Sequence, residues 1–449
     1  MKRIIDYFLL AWKHKKFRMP LLLRGARQVG KTYAVRQLGA TYDNFIEINF
    51  EKHSFLQAMF ERDLNPQRII NELSLFADQQ IAPGKTLIFF DEIQMVPQAI
   101  TALRYFYEEM PDIHIIAAGS LIDFAIEQVG IPVGRVELLY MYPLSFMEYL
   151  AAKNESMTIR KILDHAADSP LPDYIHQNFL YALKEYLVFG GMPQVISRWV
   201  TTNNALDAAQ THANILNIYE QDFSKYARKN QIKYVQLVFD QIPEQAGNKF
   251  KYTQIEGDYR KRELAPALDL LVTAGIAHKV YYSPGQGIPL GFQRDPLDYK
   301  VIFLDVGLAQ SHLGVDLAAW FLQPEQTFIN KGGLVEAFVG QELMAYALPF
   351  KKNKLYYWHK DSSPQAEIDY LIQLKDVIMP VEVKSGEGKT LKSIQYFLEN
   401  HKASPYGLRF SIQNYSIHNN IHSYPLYAII KVITDNSPEM KAAISYLLS

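Results

Sequence analysis

Residues 21–32 read LLLRGARQVGKT, and no other stretch of the chain narrows its fold so far. Three consecutive leucines make a short buried strand. Gly25, Gly30, Lys31 and Thr32 then match the spacing G-x-x-x-x-G-K-[ST]. Each position has a physical job. The glycines let the backbone curl, so that successive amides from Gly25 through Ala26, Arg27, Gln28, Val29 and Gly30 point inward at phosphate oxygens. Lys31 reaches the β- and γ-phosphates, and Thr32 offers its hydroxyl to Mg²⁺. A helix expected from Lys31 to Leu38 adds its positive amino-terminal end. Strand, glycine turn and helix in that order are the context such a loop requires.

A second element is needed downstream, and KTLIFFDEIQ (residues 85–94) supplies it. Leu87 to Phe90 are a continuous apolar run of the kind buried on both faces of a parallel sheet. The run ends in Asp91 and Glu92. Asp91 would hold Mg²⁺ through water, and Glu92 would polarise the attacking water as general base. A third strand, DIHIIAAGS, ends at Ser120, where a hydroxyl could meet the γ-phosphate or that water; a plain Gly-Ser turn is the other reading. No Asn-Lys-x-Asp follows, so ATP is preferred to GTP.

These residues resemble the AAA-type P-loop ATPases. The resemblance narrows to a prokaryotic, STAND-related group that continues GR, then YPLSFMEYL, then GGMP. Here these are Gly134-Arg135, residues 142–150 and residues 190–193. The resemblance implies that Arg135 stabilises developing phosphate charge, in cis or in trans, with a surface arginine as the alternative. It also implies that the Gly-x-Pro turn replaces the usual second sensor arginine.

At 449 residues the chain is too long for one core. Lys and Arg number 46 against 47 Asp and Glu, so any nucleic-acid binding must come from local patches. There are no cysteines, which excludes disulfides, Cys-ligated zinc, iron–sulfur clusters and thiol nucleophiles. MKRIIDYFLLAW at the start is interrupted by Asp6 and reads as an amphipathic helix, not a signal peptide. No apolar run approaches the roughly 18 residues of a membrane span. The expectation is a cytoplasmic protein without a membrane partner.

The middle of the chain is helical, and residues 252–283 read as a short helix, a turn at Gly257-Asp258, a longer helix and strands. That is the winged-helix order, and in the family resemblance such a module follows the ATPase. Leu264, Leu268, Leu271 and Val272 form its apolar stripe. Arg260, Lys261 and Arg262 stand at the start of the longer helix, where helix-turn-helix proteins contact DNA. Acidic neighbours Glu256, Asp258 and Glu263 support the plainer reading of a solvated basic triplet. Asp305, after the strand YKVIFL, reads as a helix cap, and residues 323–333 as a linker.

Near the carboxyl end, AEIDYLIQL and VIMPVEVKS form two strands around Lys375-Asp376. If those two residues are the whole loop, Leu374 pairs with Val377, Asp369 falls opposite Glu382, and Glu367 opposite Lys384. Alternation then puts all four charged residues on one face, with Ile368, Tyr370, Ile372, Val381 and Val383 on the other. Opposed residues lie about 4.5–5.5 Å apart at Cβ, so Asp369 facing Glu382 invites a cation. A one-residue slip would dissolve the arrangement. Glu336, on a preceding helix with Gly340 one turn on, adds a third carboxylate. Oxygen ligands suit Mg²⁺ or Mn²⁺. The set Glu336, Asp369 and Glu382-x-Lys384 resembles the PD-(D/E)xK nucleases, with Lys384 orienting water or stabilising charge. The other reading is an inert fold whose charges persist as salt bridges.

The chain is therefore expected to be α/β. A parallel-sheet P-loop ATPase domain over 1–200 is followed by a helical and winged-helix region over 201–325. A restriction-endonuclease-like domain over 326–449 completes it. Its expected partners are ATP with Mg²⁺, DNA, and protein partners or further copies of itself.

Overall fold

In a computed structural model of the chain, residues 1–315, 332–360, 366–386 and 391–449 are described. Of the linker expected at 323–333, residues 323–331 lie outside them. The chain forms two compact units. One comprises Lys2–Tyr142 with Leu348–Lys352, the other Pro143–Ala347 with Asn353–Ser449.

The first unit is built on five parallel strands: β1 (Leu21–Arg24), β2 (Asn44–Asn49), β3 (Thr86–Asp91), β4 (His114–Ala118) and β5 (Glu137–Tyr140). Their order is β2-β3-β4-β1-β5. Every residue of β1, β3 and β4 is buried, which is why these strands read as apolar runs rather than as alternating patterns. The expected helix after the glycine turn runs Lys31–Gly39. Because β4 lies between β1 and β3, the carboxyl ends of all three strands are neighbours. Ligands of open α/β sheets bind at such strand ends.

The second unit opens with helices, among them Phe146–Ala152, Asp173–Phe189 and Pro193–Thr202. Among the described residues its sheet has eight strands: β6 (Ala277–Tyr282), β7 (Asp295–Phe303), β8 (Leu355–Lys360), β9 (Ala366–Leu374), β10 (Val377–Lys384), β11 (Gly407–Ser411), β12 (Ser416–His418) and β13 (Ile421–Pro425). The order is β12-β13-β11-β10-β9-β8-β6-β7.

The chain first passes from one compact unit to the other at Tyr142/Pro143. Buried polar bonds hold the segment that follows within the second unit. Ser145 caps the helix Phe146–Ala152, and the Phe146 amide donates to both oxygens of Glu342 at 3.0 and 3.2 Å. The Leu144 amide donates to the Gly191 carbonyl at 2.7 Å. A Cβ on Gly191 would stand 2.1 Å from the Leu144 carbonyl oxygen. The YPLSFMEYL and GGMP segments are thus held to each other and to the helix Gly332–Ala345.

The expected winged helix is only partly recognisable. The short helix before Gly257 is a single 3-10 turn, Tyr252–Gln254, and the longer one runs Lys261–Thr273. β6 and β7 pair antiparallel as a wing would. β6 also pairs in parallel with β8, so the sheet runs across the expected boundary at 325/326. Asp305 caps the helix Val306–His312, accepting from the Leu308 amide at 2.9 Å. Among the described residues, no helix is long and apolar enough to cross a membrane.

Candidate functional site

The loop between β1 and the helix Lys31–Gly39 needs its glycines for two reasons. A Cβ on Gly25 would lie 2.2 Å from the Met141 carbonyl oxygen, and Gly30 has φ +98°, the left-handed region. Gln28, at φ 65°, adopts that region without being glycine. Ala26 and Val29 are buried. Arg3 braces the loop from outside, donating to the Val29 carbonyl at 3.0 Å. Nothing in the local sequence marked Arg3, because its partner is distant along the chain.

Lys31 is buried, and its ammonium donates to the Gly25 and Ala26 carbonyls at 2.8 and 2.7 Å. Burial pushes its pKa down to about 8, opposed by the charges of Glu92 and Asp91. Asp91 ends β3. The Thr32 hydroxyl stands 3.3 and 3.2 Å from its two carboxylate oxygens, and Asn49 donates to it at 3.2 Å. Burial and the neighbouring Glu92 raise the Asp91 pKa, while bonds from Asn49 and Thr32 oppose the rise. Glu92 sits at φ 53° and accepts from the Gln94 amide. That φ lies in the left-handed region, uncommon for a residue other than glycine. A hydroxyl and a carboxylate in contact are a hard-oxygen pair that fits Mg²⁺. Ser120 lies two residues beyond Ala118, the β4 partner of Asp91. An open cleft of about 520 Å³ runs alongside, lined by Arg36, Glu47, Asn49, Glu51, Lys52 and His53.

Arg135 does not join this group. It lies two residues before β5, at the amino-terminal edge of the parallel sheet, and donates to Glu108 at 2.8 Å. The phosphate loop, Asp91 and Ser120 are all at the carboxyl edge.

In the second unit the expected hairpin is present in the expected register, with Val377 paired to Leu374 and Val381 to Tyr370. Asp369 and Glu382 stand one step beyond that ladder. There the Asp369 carboxylate replaces a backbone acceptor and takes the Val383 amide at 2.7 Å.

The expected alternation fails at Tyr370. Tyr356 pairs with Leu371 but Trp358 with Ile368, so β9 carries one extra residue, a bulge. Ile368 and Leu371 share a core with Trp358, whereas the Tyr370 hydroxyl donates to the Glu336 carbonyl at 2.8 Å. The gap beside Gly340 receives that hydroxyl, since a Cβ there would lie 2.5 Å from it.

The charged residues do gather, but around a lysine that sequence reasoning missed. Lys300 of β7 is 1% exposed, and its ammonium lies 2.7 Å from Glu336, 2.5 Å from Glu367 and 3.9 Å from Asp369. Burial alone would lower its pKa, but the charges of Glu336, Asp369 and Glu367 raise it on balance. Lys384 pairs with Glu382 at 2.5 Å. Burial and then Asp369 push Glu382 up to about 7, against Lys384. Burial also raises Asp369 and Glu336. The second oxygen of Glu382 is buried and accepts no hydrogen bond. Among the described residues, no group of three or more His, Cys, Asp or Glu is arranged to hold a metal ion. The donor set expected for Mg²⁺ or Mn²⁺ at Glu336, Asp369 and Glu382 is therefore engaged by ammonium groups.

Three family models match parts of the chain. A model described as AAA domain matches residues 17–150. Two models described as domains of unknown function, DUF8612 and DUF4143, match residues 180–318 and 331–429. No curated protein matches the chain. Similar solved structures include the Walker-type ATPase PABY2304 of Pyrococcus abyssi, at 14% identity and TM-score 0.43, covering 70% of this chain and 95% of that one. The Orc1 protein of Aeropyrum pernix in complex with DNA gives 11% and 0.25, covering 71% and 93%. The RuvB Holliday junction branch migration motor of Thermotoga maritima gives 13% and 0.29, covering 70% and 93%. The first unit is a P-loop ATPase-type domain with an AAA match. The matches to the rest of the chain name no activity.

Proposed function

We propose that the first unit binds ATP with Mg²⁺ and hydrolyses it, and that nucleotide state sets the condition of the second unit. The observation that carries this is the meeting of Lys31, Thr32, Asp91 and Glu92 at one edge of the sheet. In this reading the loop amides and Lys31 hold the phosphates, and Ser120 lies beside them. Thr32 and Asp91 hold Mg²⁺, whose charge would offset that developing on phosphate. Glu92 orients and deprotonates the attacking water. Lys31→Ala should abolish nucleotide binding measured by calorimetry. Glu92→Gln should keep binding and lower turnover by about 10²–10⁴-fold. Undiminished binding by Lys31→Ala, or undiminished turnover by Glu92→Gln, would sink the assignment.

The second unit has two readings, each with its own observation. The salt bridges of Lys300 and Lys384 favour an interaction or signalling switch on an inert nuclease-like fold. The unpartnered Glu382 oxygen favours a metal-dependent, DNA-directed site with Lys384 beside the reacting phosphodiester. The first describes the chain with Lys300 in place, where a buried cation already engages Glu336 and Glu367. In the DNA-directed reading, DNA contact is assigned to the basic start of the helix Lys261–Thr273 at Arg260, Lys261 and Arg262.

A further inference from the structure

We infer that Lys300 is an internal cation that closes the carboxylate cluster of the second unit, so that the cluster takes a divalent metal only when this ammonium is withdrawn. The inference rests on reading Glu336, Asp369 and Glu382 as a metal-type site.

The contacts show what Lys300 replaces. Its ammonium holds one oxygen of Glu336 and one of Glu367, and stands 3.9 Å from Asp369. These acids come from the helix Gly332–Ala345 and from β9, while the lysine comes from β7. One cation thus ties three elements together, as a bound metal would. A divalent ion and an ammonium compete for the same carboxylate lone pairs, and at a few ångströms in a buried site they repel strongly. Bound to the same oxygens, they exclude one another.

The cluster nevertheless retains capacity for positive charge. Glu336, Glu367, Asp369 and Glu382 outnumber Lys300, Lys384 and Arg409, the β11 partner of Glu382. Independently of that count, Glu382 is 5% exposed and its second oxygen has no partner, although it lies close enough to Asp369 to feel its charge. A buried carboxylate oxygen left unpaired is costly and calls for a cation or donor. Glu367 is 47% exposed at its side chain, so one of the two close ion pairs of Lys300 borders solvent.

The test is Mn²⁺ binding by electron paramagnetic resonance on the full chain carrying Thr32→Ala and Asp91→Asn, which silence the nucleotide site. Lys300→Met in that background should bind one Mn²⁺ at least about tenfold more tightly than the chain with Lys300 intact, the effect of removing a nearby unit charge. Asp369→Asn should abolish the gain. Should Lys300→Met fail to fold, Lys300→Met/Glu367→Gln, which deletes one charge of each sign and spares the three ligand carboxylates, is read in the same way. Equal Asp369-dependent binding with and without Lys300 would overturn the inference and leave the metal-type reading standing. Folded Lys300 variants without any Asp369-dependent Mn²⁺ would overturn both.

Discussion

Lys31 is under two opposed demands. It must be charged to hold phosphates, yet burial in its own loop lowers its pKa to about 8. Below that pH it is protonated and ready. Above it the free protein holds a neutral amine, and phosphate binding has to bring a proton back. The apparent ATP affinity should therefore fall above about pH 8, by up to about tenfold per unit, with proton uptake on binding. Calorimetry in buffers of different ionisation enthalpy reads both; a flat profile to pH 9.5 would show that Lys31 stays charged. Lys31 was legible in the sequence because its partners are its neighbours. Lys300 was not, since its carboxylates lie on a later helix and a later strand.

At the level of elements, the hairpin shows how far a pattern reaches. Lys375 at φ 55° and Asp376 do form the whole loop, and the register follows from it. The bulge in β9 does not follow, because it answers to pairing with β8 and to the helix behind it. Gly340 and Tyr370 are matched across that contact. Gly340→Ala should destabilise the second unit by about 1–3 kcal/mol, as overpacking does. Tyr370→Phe removes the hydroxyl and its bond to Glu336, a loss of about 1 kcal/mol. Combined, the two changes should cost less than their sum in a double-mutant cycle read by denaturant unfolding. Strict additivity would mean that the hydroxyl does not fill the gap.

Across the whole molecule, the position of Arg135 decides how it can act. It lies at the sheet edge opposite its own phosphate loop and pairs with Glu108 at the surface. A catalytic role for Arg135 is then a role toward another copy of the chain. Arg135→Ala should keep ATP binding and lose about 10³-fold or more in turnover. Wild-type turnover per chain should rise with protein concentration, and mixing in Lys31→Ala, which retains Arg135, should restore turnover to Arg135→Ala. Concentration-independent turnover, or no restoration, would return Arg135 to a surface ion pair.

What the amino-acid order determined alone was whatever short-range physics controls. The glycine loop, the apolar strands ending in Asp91 and Glu92, the cap at Asp305 and the two-residue hairpin all depend on residues close in sequence. Tertiary structure decided the rest. It put β4 between β1 and β3, joined the wing-like strands to the last sheet, and brought Glu342 to the Phe146 amide. It also set a lysine among the acids where the sequence alone had suggested a metal. Charge compensation in a buried cluster is a sum over distant segments, and only the folded chain performs that sum.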